Sequence, residues 1–260
     1  MTKVLCVANN KGGSGKSTTV ANVGYALAQM KKRVLLVDCD MQLNLTLCYF
    51  PEEKVIEMAK GEKNLYTALK NGVEIKDCIR RTEYEGVDVV PASTLLSGVE
   101  FELFSRWQRE LVMKNMLASV KRSGKYDYIL LDAPPTVGGW VMNLLVASDY
   151  LIIPVEASPW GLFGLANMLD FVKQANQVSP ELQLLGVVVT KVDTRKNYFK
   201  QTMQALTEQP ECKVFESYIR LDSNIEWAED ACKPVGAYKP NARSAAEYAE
   251  LTKEIVKRCR

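Results

Sequence analysis

The chain has 260 residues, of which 47% are hydrophobic and 25% are charged, and these values fit one large α/β domain spanning residues 1–260. Lys and Arg number 33 against 31 Asp and Glu, so the formal net charge of +2 does not by itself indicate a nucleic-acid partner. Such a role would need a local basic patch. The absence of histidine excludes histidine-based catalysis and histidine metal sites.

The cysteines and the N-terminus favour a reducing compartment. The seven cysteines are scattered, odd in number and without a Cys-x-x-Cys pair, so we expect reduced thiols in a cytoplasmic protein. The first three residues lead directly into an apolar run, and no signal peptide is expected. No apolar run reaches the ~20 residues that a membrane-spanning helix needs.

Residues 9–19 read NNKGGSGKSTT and lie between two different hydrophobic patterns. The apolar run of residues 4–8 before them is typical of a buried parallel strand. Behind them, the apolar positions of residues 20–30 recur at helical spacing, which predicts a helix opening near Lys16. A glycine-rich turn between a strand and a helix is the setting of a phosphate-binding loop.

The residue types of this loop suit a bound triphosphate. Its glycines let backbone N–H groups converge on an anion, and the following helix adds free N–H groups and the positive end of its dipole. Lys16 is predicted to neutralise the β- and γ-phosphates, and the Ser17 hydroxyl suits Mg²⁺, which takes oxygen ligands. The alternative is a glycine-rich turn that binds nothing. The predicted cradle consists of Gly12, Gly13, Ser14, Gly15, Lys16, Ser17 and Thr18.

Two further apolar stretches end in acids. Residues 33–40 end in Asp38 and Asp40, and residues 126–132 end in Asp132. Acids at the carboxyl ends of parallel strands lie where open α/β sheets bind ligands. Asp132 is therefore predicted to hold the shell of a Mg²⁺ ion through water.

Strands and helices alternate along the rest of the chain. Strands are predicted at residues 87–92, 150–155 and 184–191, and helices at residues 97–122, 161–178 and 243–258. Residues 51–81 look polar and irregular, with short amphipathic pieces such as residues 65–69. Core positions predicted in the first helix are Trp107, Leu111, Met116 and Leu117. The alternation predicts an α/β fold with a doubly wound, mostly parallel sheet and helices on both faces.

The glycine loop resembles the deviant Walker A motif, Lys-Gly-Gly-x-x-Lys-Ser/Thr, of the ParA/MinD/nitrogenase iron protein superfamily of ATPases. Asn10 replaces the first glycine of the ordinary motif, and Lys11 is the additional lysine of the deviant form. The resemblance implies a homodimer that sandwiches ATP, in which Lys11 of one subunit reaches the nucleotide of the other. A solvated loop lysine is the alternative interpretation of Lys11.

The resemblance extends to the acidic strand ends. Asp38 and Asp40 match the family pattern Asp-x-Asp-Pro-Gln-x-Asn, although Met41 replaces its proline. The family assigns Asp40 to the attacking water and to the Mg²⁺ environment, which makes Asp40 the candidate residue for hydrolysis. It also makes Asp132 the Walker B acid and residues 133–139 a switch-like loop.

Residues near the base are assigned by the same resemblance. They are Lys191, Asp193, Arg220 and Asp222, and solvent-facing polar residues are the alternative for each. The segment after Ile219 resembles the ending of ParA proteins, but Cys232 replaces a glycine and Trp227 a glutamate.

Two functions from different classes follow from the resemblance. A ParA-type ATPase would position plasmid or chromosomal DNA in the cytoplasm at the nucleoid, bind double-stranded DNA without sequence preference, and release it after stimulation by a centromere-binding, ParB-like protein. A MinD-like ATPase would bind a membrane through a terminal amphipathic helix. The tail offers only Ile255 and Val256, so no stable membrane association is expected. Candidate DNA-phosphate contacts are Arg195, Lys196, Lys200, Lys233, Lys239, Arg243 and Lys257.

An electron-transfer iron protein is a third possibility. That branch of the superfamily places a cluster ligand in the loop that follows the Walker B acid. No cysteine stands in this loop after Asp132, which argues against an iron–sulfur cluster.

Overall fold

The computed structural model describes residues 1–209 and 211–259. Within these residues, seven strands form one sheet in the order β3-β4-β2-β5-β1-β6-β7, and every neighbouring pair is parallel except β3 with β4. The strands are β1 (Lys3–Val7), β2 (Val34–Asp38), β3 (Arg80–Arg81), β4 (Val87–Val90), β5 (Tyr128–Asp132), β6 (Tyr150–Glu156) and β7 (Gln183–Thr190).

Helices cover both faces of this sheet, because alternate strand residues need apolar partners on either side. Val4 and Cys6 of β1 pack into one hydrophobic layer, whereas Leu5 and Val7 pack into the other. The helices are α1 (Lys16–Gln29), α2 (Asn44–Leu47), α3 (Glu52–Lys60), α4 (Leu65–Asn71), α5 (Val99–Phe104), α6 (Val112–Arg122), α7 (Gly139–Val146), α8 (Pro159–Val178), α9 (Asn197–Thr207), α10 (Ser223–Asp230), α11 (Val235–Tyr238) and α12 (Arg243–Arg258). The predicted fold class is confirmed.

The register of the central strands brings three loops together. Val7 at the end of β1 pairs with Asp132 at the end of β5, and Asp38 at the end of β2 pairs with the same Asp132. Three neighbouring parallel strands therefore end at the same level. The glycine loop after β1 and the acidic ends of β2 and β5 meet at this carboxyl edge of the sheet.

The prediction of a single helix over residues 97–122 is wrong. Helices α5 and α6 are separated by turns, and Gln108 between them has a φ of +52°, which an α-helix does not accommodate. Trp107 lies in this break and is 96% exposed, so its prediction as a core residue is also wrong. Leu117 is buried as predicted, and Leu111 and Met116 are half-buried.

Residues 51–81 are more regular than their polarity indicates. Helix α3 follows Pro51, and α4 begins with a capping box in which Asn64 Oδ1 accepts from the Thr67 N–H at 3.0 Å and Thr67 Oγ1 accepts from the Asn64 N–H at 3.0 Å. The amphipathic piece predicted at residues 65–69 is confirmed as part of α4.

The C-terminal helix predicted at residues 243–258 is confirmed as α12, whose Tyr248, Leu251 and Ile255 are buried on one side. The seven cysteines are free in the structure, consistent with the predicted thiols. No helix in the described part of the chain is both long and apolar enough to span a bilayer.

Candidate active site

A cavity of about 810 Å³ opens at the carboxyl edge of the sheet, beside the glycine loop. Its lining comes from both halves of the chain: the glycine loop, Asp40 and the turn after it belong to one half, and the segment from Ile219 to Tyr248 belongs to the other. Among the predicted site residues, the lining includes Gly12, Gly13, Gly15, Lys16, Ser17, Thr18, Asp40, Lys191, Arg220 and Asp222.

The glycine loop turns sharply between β1 and α1. Gly13 and Gly15 have φ values of +71° and +87°, a left-handed conformation that favours glycine over residues with a Cβ. Gly15 is the N-cap of α1, and no side chain caps this end of the helix. The first N–H groups of α1 are therefore free to bind an anion, as the sequence predicts.

Thr190, the last residue of β7, forms a hydrogen bond with the glycine loop. Its hydroxyl donates to the Ser14 carbonyl oxygen at 2.9 Å, and both residues are buried. This bond occupies the Ser14 carbonyl and ties the loop to the end of β7. The loop is thus held by a strand residue that lies 176 positions later in the chain.

Lys16 is buried and its ammonium lies at the loop. Its Nζ donates to the Lys11 carbonyl oxygen at 3.1 Å. Burial lowers the pKa of Lys16, and the charges of Asp132 and Asp40 oppose that shift. An anion placed in the loop would gain this ammonium as a partner at little cost, because the present acceptor is a neutral carbonyl.

Asp132 is a buried carboxylate whose surroundings fit a bound cation. It is fully buried, and neither carboxylate oxygen has a hydrogen-bond partner in bonding geometry. Burial and then the charge of Asp38 raise the pKa of Asp132, while the nearby Ser17 hydroxyl and Lys16 ammonium act in the opposite direction. A buried, unpartnered carboxylate is costly unless a cation or water completes it.

The oxygen donors around Asp132 fit Mg²⁺. The Ser17 hydroxyl and the Asp40 carboxylate belong to residues that line the cavity beside it, and all three groups are hard oxygen ligands. The described residues contain no cluster of three or more acids, cysteines or histidines of the kind that holds a metal by itself. The set suits a cation that shares its coordination with water and phosphate.

Asp38 is not among the described residues that line the cavity, and it holds the turn that carries Asp40. Its carboxylate accepts from the Asp40 N–H at 3.2 Å, from the Thr46 N–H at 2.9 Å and from the Thr46 hydroxyl at 2.6 Å. Burial raises the pKa of Asp38 to about 7, although these hydrogen bonds act in the opposite direction. Asp40 in turn accepts from the Gln42 N–H at 3.1 Å, so residues 38–46 form one braced turn.

Lys11 lies apart from Lys16. Its ammonium forms an ion pair with Glu156, the last residue of β6, and donates to Ser158 Oγ at 3.0 Å. Lys11 is half-buried and is not part of the cavity lining among the described residues. Within one chain, therefore, Lys11 is held by the adjacent strand end rather than directed into the cavity.

Of the polar residues predicted near the base, Arg220 and Asp222 lie on the wall formed by the segment from Ile219 to Tyr248. Arg220 forms an ion pair with Glu247, and its N–H donates to the same carboxylate at 2.9 Å. Burial by itself would raise the pKa of Asp222, but hydrogen bonds from Asn224 and Ser244 outweigh it and lower the pKa to about 2. Lys191, which directly follows β7, has a φ of +53°, and its ammonium lies near Gly13.

Asp193 is the exception among the predicted base contacts. It pairs with Arg195 through an Nε–Oδ1 distance of 2.9 Å, and it does not belong to the cavity lining within the described residues. The structure therefore separates Asp193 from the other three.

The seven basic residues predicted to contact DNA are exposed and belong to several elements in the last third of the chain. Arg195 and Arg243 pair with Asp193 and Glu247. Arg243 and Lys257 stand near opposite ends of α12, roughly 20 Å apart at 1.5 Å per residue. The remaining members are Lys196, Lys200, Lys233 and Lys239, in or beside α9 and α11.

Sequence reasoning missed four residues that organise the site, namely Thr46, Glu156, Thr190 and Glu229. Glu156 is an acid at the end of a parallel strand, so the rule that selected Asp38 and Asp132 would have found it, whereas Thr190 ends β7 as a neutral residue that this rule passes over. Glu229 accepts from the Thr18 hydroxyl at 2.7 Å across 211 positions, and nothing local in the sequence signals that contact.

Comparison with known proteins agrees with this geometry. A family model described as an AAA domain matches residues 2–184. The sporulation initiation inhibitor protein Soj of Bacillus subtilis is 36% identical, with 98% of each chain covered. The chromosome partitioning protein ParA of Caulobacter vibrioides is 31% identical, with 98% of this chain and 94% of that protein covered.

A solved structure extends the comparison to the bound state of a similar protein. The structure of cobyrinic acid a,c-diamide synthase from Mycobacterium smegmatis with bound ADP and magnesium has a TM-score of 0.83, is 29% identical, and covers 99% of this chain and 95% of its own. Together with the glycine loop and the acidic strand ends, these similarities show that the chain belongs to the ParA/Soj family of partitioning ATPases and is an ATP hydrolase.

Proposed function

We propose that this chain is a Mg²⁺-dependent ATPase whose ATP state is a homodimer that binds double-stranded DNA without sequence preference and positions plasmid or chromosomal DNA. The observation that carries the proposal is the unpartnered Asp132 carboxylate, buried next to Lys16 at the base of an uncapped glycine loop. The relatives named Soj and ParA support the partitioning role.

The phosphates bind to the N–H groups of residues 12–18 and to the N-terminus of α1. Lys16 exchanges the Lys11 carbonyl for phosphate oxygens and neutralises the charge that develops on the leaving group. Ser17, Asp40 and Asp132 hold Mg²⁺, directly or through water, and the bound ion supplies further charge neutralisation at the phosphates.

Asp40 orients the attacking water. Water attacks the γ-phosphorus while the bond to the β–γ bridging oxygen breaks, and the products are ADP and inorganic phosphate. The braced turn from Asp38 to Thr46 fixes the Asp40 backbone, so the carboxylate is positioned before the nucleotide binds. Lys191, Arg220 and Asp222 contact the base.

Lys11 completes the site of the partner subunit. For this it must leave Glu156 and Ser158, which hold it in the isolated chain. Triphosphate oxygens are stronger acceptors for an ammonium than a half-exposed carboxylate, since they carry more charge and lie in a drier site. Dimerisation then controls hydrolysis, and a slow assembly step makes ATP a timer for the bound state.

DNA binding requires the dimer. The seven basic residues on and around α9, α11 and α12 are dispersed on one chain, and a two-fold axis brings two such sets onto one surface. A centromere-binding, ParB-like protein stimulates hydrolysis and releases the dimer from DNA. We place this cycle in the cytoplasm, at the nucleoid.

The test is a gel-shift assay on nonspecific duplex DNA with ATP, ADP or no nucleotide, beside sedimentation with anionic liposomes. We expect DNA binding with ATP alone, and an affinity that falls steeply with salt, by about 0.9 log units per log unit of salt for each phosphate neutralised. The Asp40→Ala variant serves as a non-hydrolysing control that remains bound. Binding to liposomes without binding to DNA would replace the DNA role with the membrane role.

A further inference from the structure

An unusually apolar surface lies beside the site. Phe101, Phe104 and Trp107 are 84%, 79% and 96% exposed, and Val137 in the loop after β5 is 50% exposed. Phe101 and Phe104 lie one turn apart on α5, opposite the buried Val99 and Leu103. We call Phe101, Phe104, Trp107 and Val137 the aromatic patch. Large exposed apolar groups gathered on one surface indicate an interaction site.

Glu100 connects the aromatic patch to the loop of residues 133–139. Its Oε1 accepts from the Trp140 N–H at 3.0 Å, where α7 begins. A Cβ at Gly138 would lie only 2.5 Å from the same oxygen, so the carboxylate rests directly on the end of this loop. The Trp140 indole N–H donates to the Cys39 carbonyl oxygen at 3.0 Å, so Trp140 is also bound to the residue that follows β2.

The same loop reaches the cavity. Pro135 lines the cavity wall, while Val137, two residues later, belongs to the aromatic patch. On the other side of the glycine loop, Phe163 is 66% exposed, and its neighbour Gly164 packs against Asn10 and Lys11. Exposed apolar residues therefore flank Lys11 and the switch-like loop together.

We infer that the aromatic patch is a contact surface for a second copy of this chain in the ATP state. The inference rests on the proposed function, in which a partner covers the region of Lys11. A surface that reaches Lys11 and residues 133–139 extends to Val137 and from there to α5. Symmetric association would bury both copies of the patch.

The chemistry of the patch argues against DNA and anionic lipid as the occupant. Helix α5 offers no cation to phosphate groups: its first turn carries Glu100, which accepts from the Trp140 N–H, and Glu102, which pairs with Lys70 at 2.8 Å. Helix α5 has only six residues, which is short for an interfacial lipid-binding helix. An apolar protein surface satisfies Phe101, Phe104 and Trp107 without bringing negative charge near these acids.

The contact also links association to catalysis. Burial of the patch would hold α5 in place. The hydrogen bond from the Trp140 N–H to Glu100 would then also hold the end of the loop that follows Asp132. Glu100 is thus a positioning residue that acts through Trp140 and residues 138–139, with no direct contact with the nucleotide.

The experiment uses Asp40→Ala as the parent, because the proposed function predicts that this variant accumulates as a dimer with ATP. In this background, Phe104 and Trp107 are both changed to Ser, and Ile56→Ser, an exposed apolar residue on α3, is the matched control. Dimer formation is measured by analytical ultracentrifugation, and ATP binding by the monomer is measured with a fluorescent analogue at low protein concentration. Thermal unfolding confirms that each variant is folded.

We expect the double Ser variant to dimerise more than about tenfold more weakly while it binds ATP like its parent, because aromatic residues dominate interface energetics. The control should dimerise like the parent. Unchanged dimerisation of the double variant would overturn the inference and leave the proposed function intact, even if binding to liposomes or stimulation by a partner were lost. Failure of the parent itself to dimerise would reject the proposed function, and this inference with it.

Discussion

The site has a floor and a rim that differ in how far one chain completes them. The floor consists of Lys16, Asp38 and Asp132, which are buried at the ends of adjacent strands or of the glycine loop. The rim consists of Lys11, residues 133–139 and the aromatic patch, and all of these residues except the buried Ala133 are half-buried or exposed. The floor is fixed by the central sheet, whereas the rim is held by a few contacts such as Lys11–Glu156 and Glu100–Trp140.

This difference separates binding from turnover. A single chain already has the loop, the ammonium and the carboxylate needed to bind a nucleotide, because the sheet register aligns them. Turnover, in our proposal, requires the rim to change its partners. Variants of the floor should therefore affect every nucleotide-dependent step, and variants of the rim should affect only association and the steps that follow it.

The largest effect is expected from Asp40→Ala, at the boundary between floor and rim. Loss of the group that orients water should reduce the steady-state rate of phosphate release by ~10²- to 10⁴-fold. ATP affinity should change little, because Lys16 and the glycine loop remain. A variant that hydrolyses ATP at the normal rate would remove Asp40 from the mechanism.

The next effect is the loss of binding in Lys16→Ala. Removal of the buried ammonium should weaken ATP binding by ~10- to 100-fold, since charge-assisted hydrogen bonds contribute about 1.5–3 kcal/mol. Isothermal titration of the variant against ATP measures this change. Lys60→Ala, at the exposed end of α3, is the control and should bind like the natural chain. Equal affinity in all three would refute the assignment of the phosphate site.

Changes at Lys11 and Glu156 should move dimerisation in opposite directions. Lys11→Ala should bind ATP as a monomer but fail to dimerise, whereas Glu156→Gln releases Lys11 from its own chain and should strengthen ATP-dependent dimerisation. The gain is expected to be about two- to fivefold, as a partly exposed ion pair contributes only ~0.2–1 kcal/mol. Light scattering during size-exclusion chromatography measures both.

Glu62→Gln, on an exposed turn, is the matched control for Glu156→Gln. If Glu156→Gln weakened dimerisation instead, the idea that Glu156 restrains Lys11 would have to be abandoned.

The smallest effect concerns Asp222, whose pKa of about 2 lies below the ordinary value near 3.9. Its carboxylate thus stabilises the fold above pH 4, and this contribution is lost as the pH falls toward 2. Asp222→Asn should lower the free energy of unfolding by roughly 0.5–1 kcal/mol at pH 7, and the difference should shrink at pH 3 and below.

Urea unfolding at several pH values tests this sign. Asp230→Asn, at the other end of α10, is the control. A destabilisation by Asp222→Asn that grows on acidification would contradict it.

Local sequence determined a large part of this protein. The strand–glycine–helix order around residues 9–19 predicts the loop, because the glycines at positions 13 and 15 permit the positive φ values and no capping residue precedes the helix. Asp38 and Asp132 each end a continuous apolar run, and such runs are typical of parallel strands that are buried on both faces. Helix α12 follows from its own amphipathic spacing.

Only the tertiary structure decided which residues far apart in the chain pair with one another. The Lys11–Glu156 pair joins residues 145 positions apart, and the Thr18–Glu229 bond joins residues 211 positions apart. The exposure of Trp107 was equally hidden, since an aromatic residue at helical spacing looks like core until the chain path around Gln108 is known. Spacing along a chain records local conformation, whereas these contacts depend on the order of strands in the sheet, which brings distant segments to the same edge.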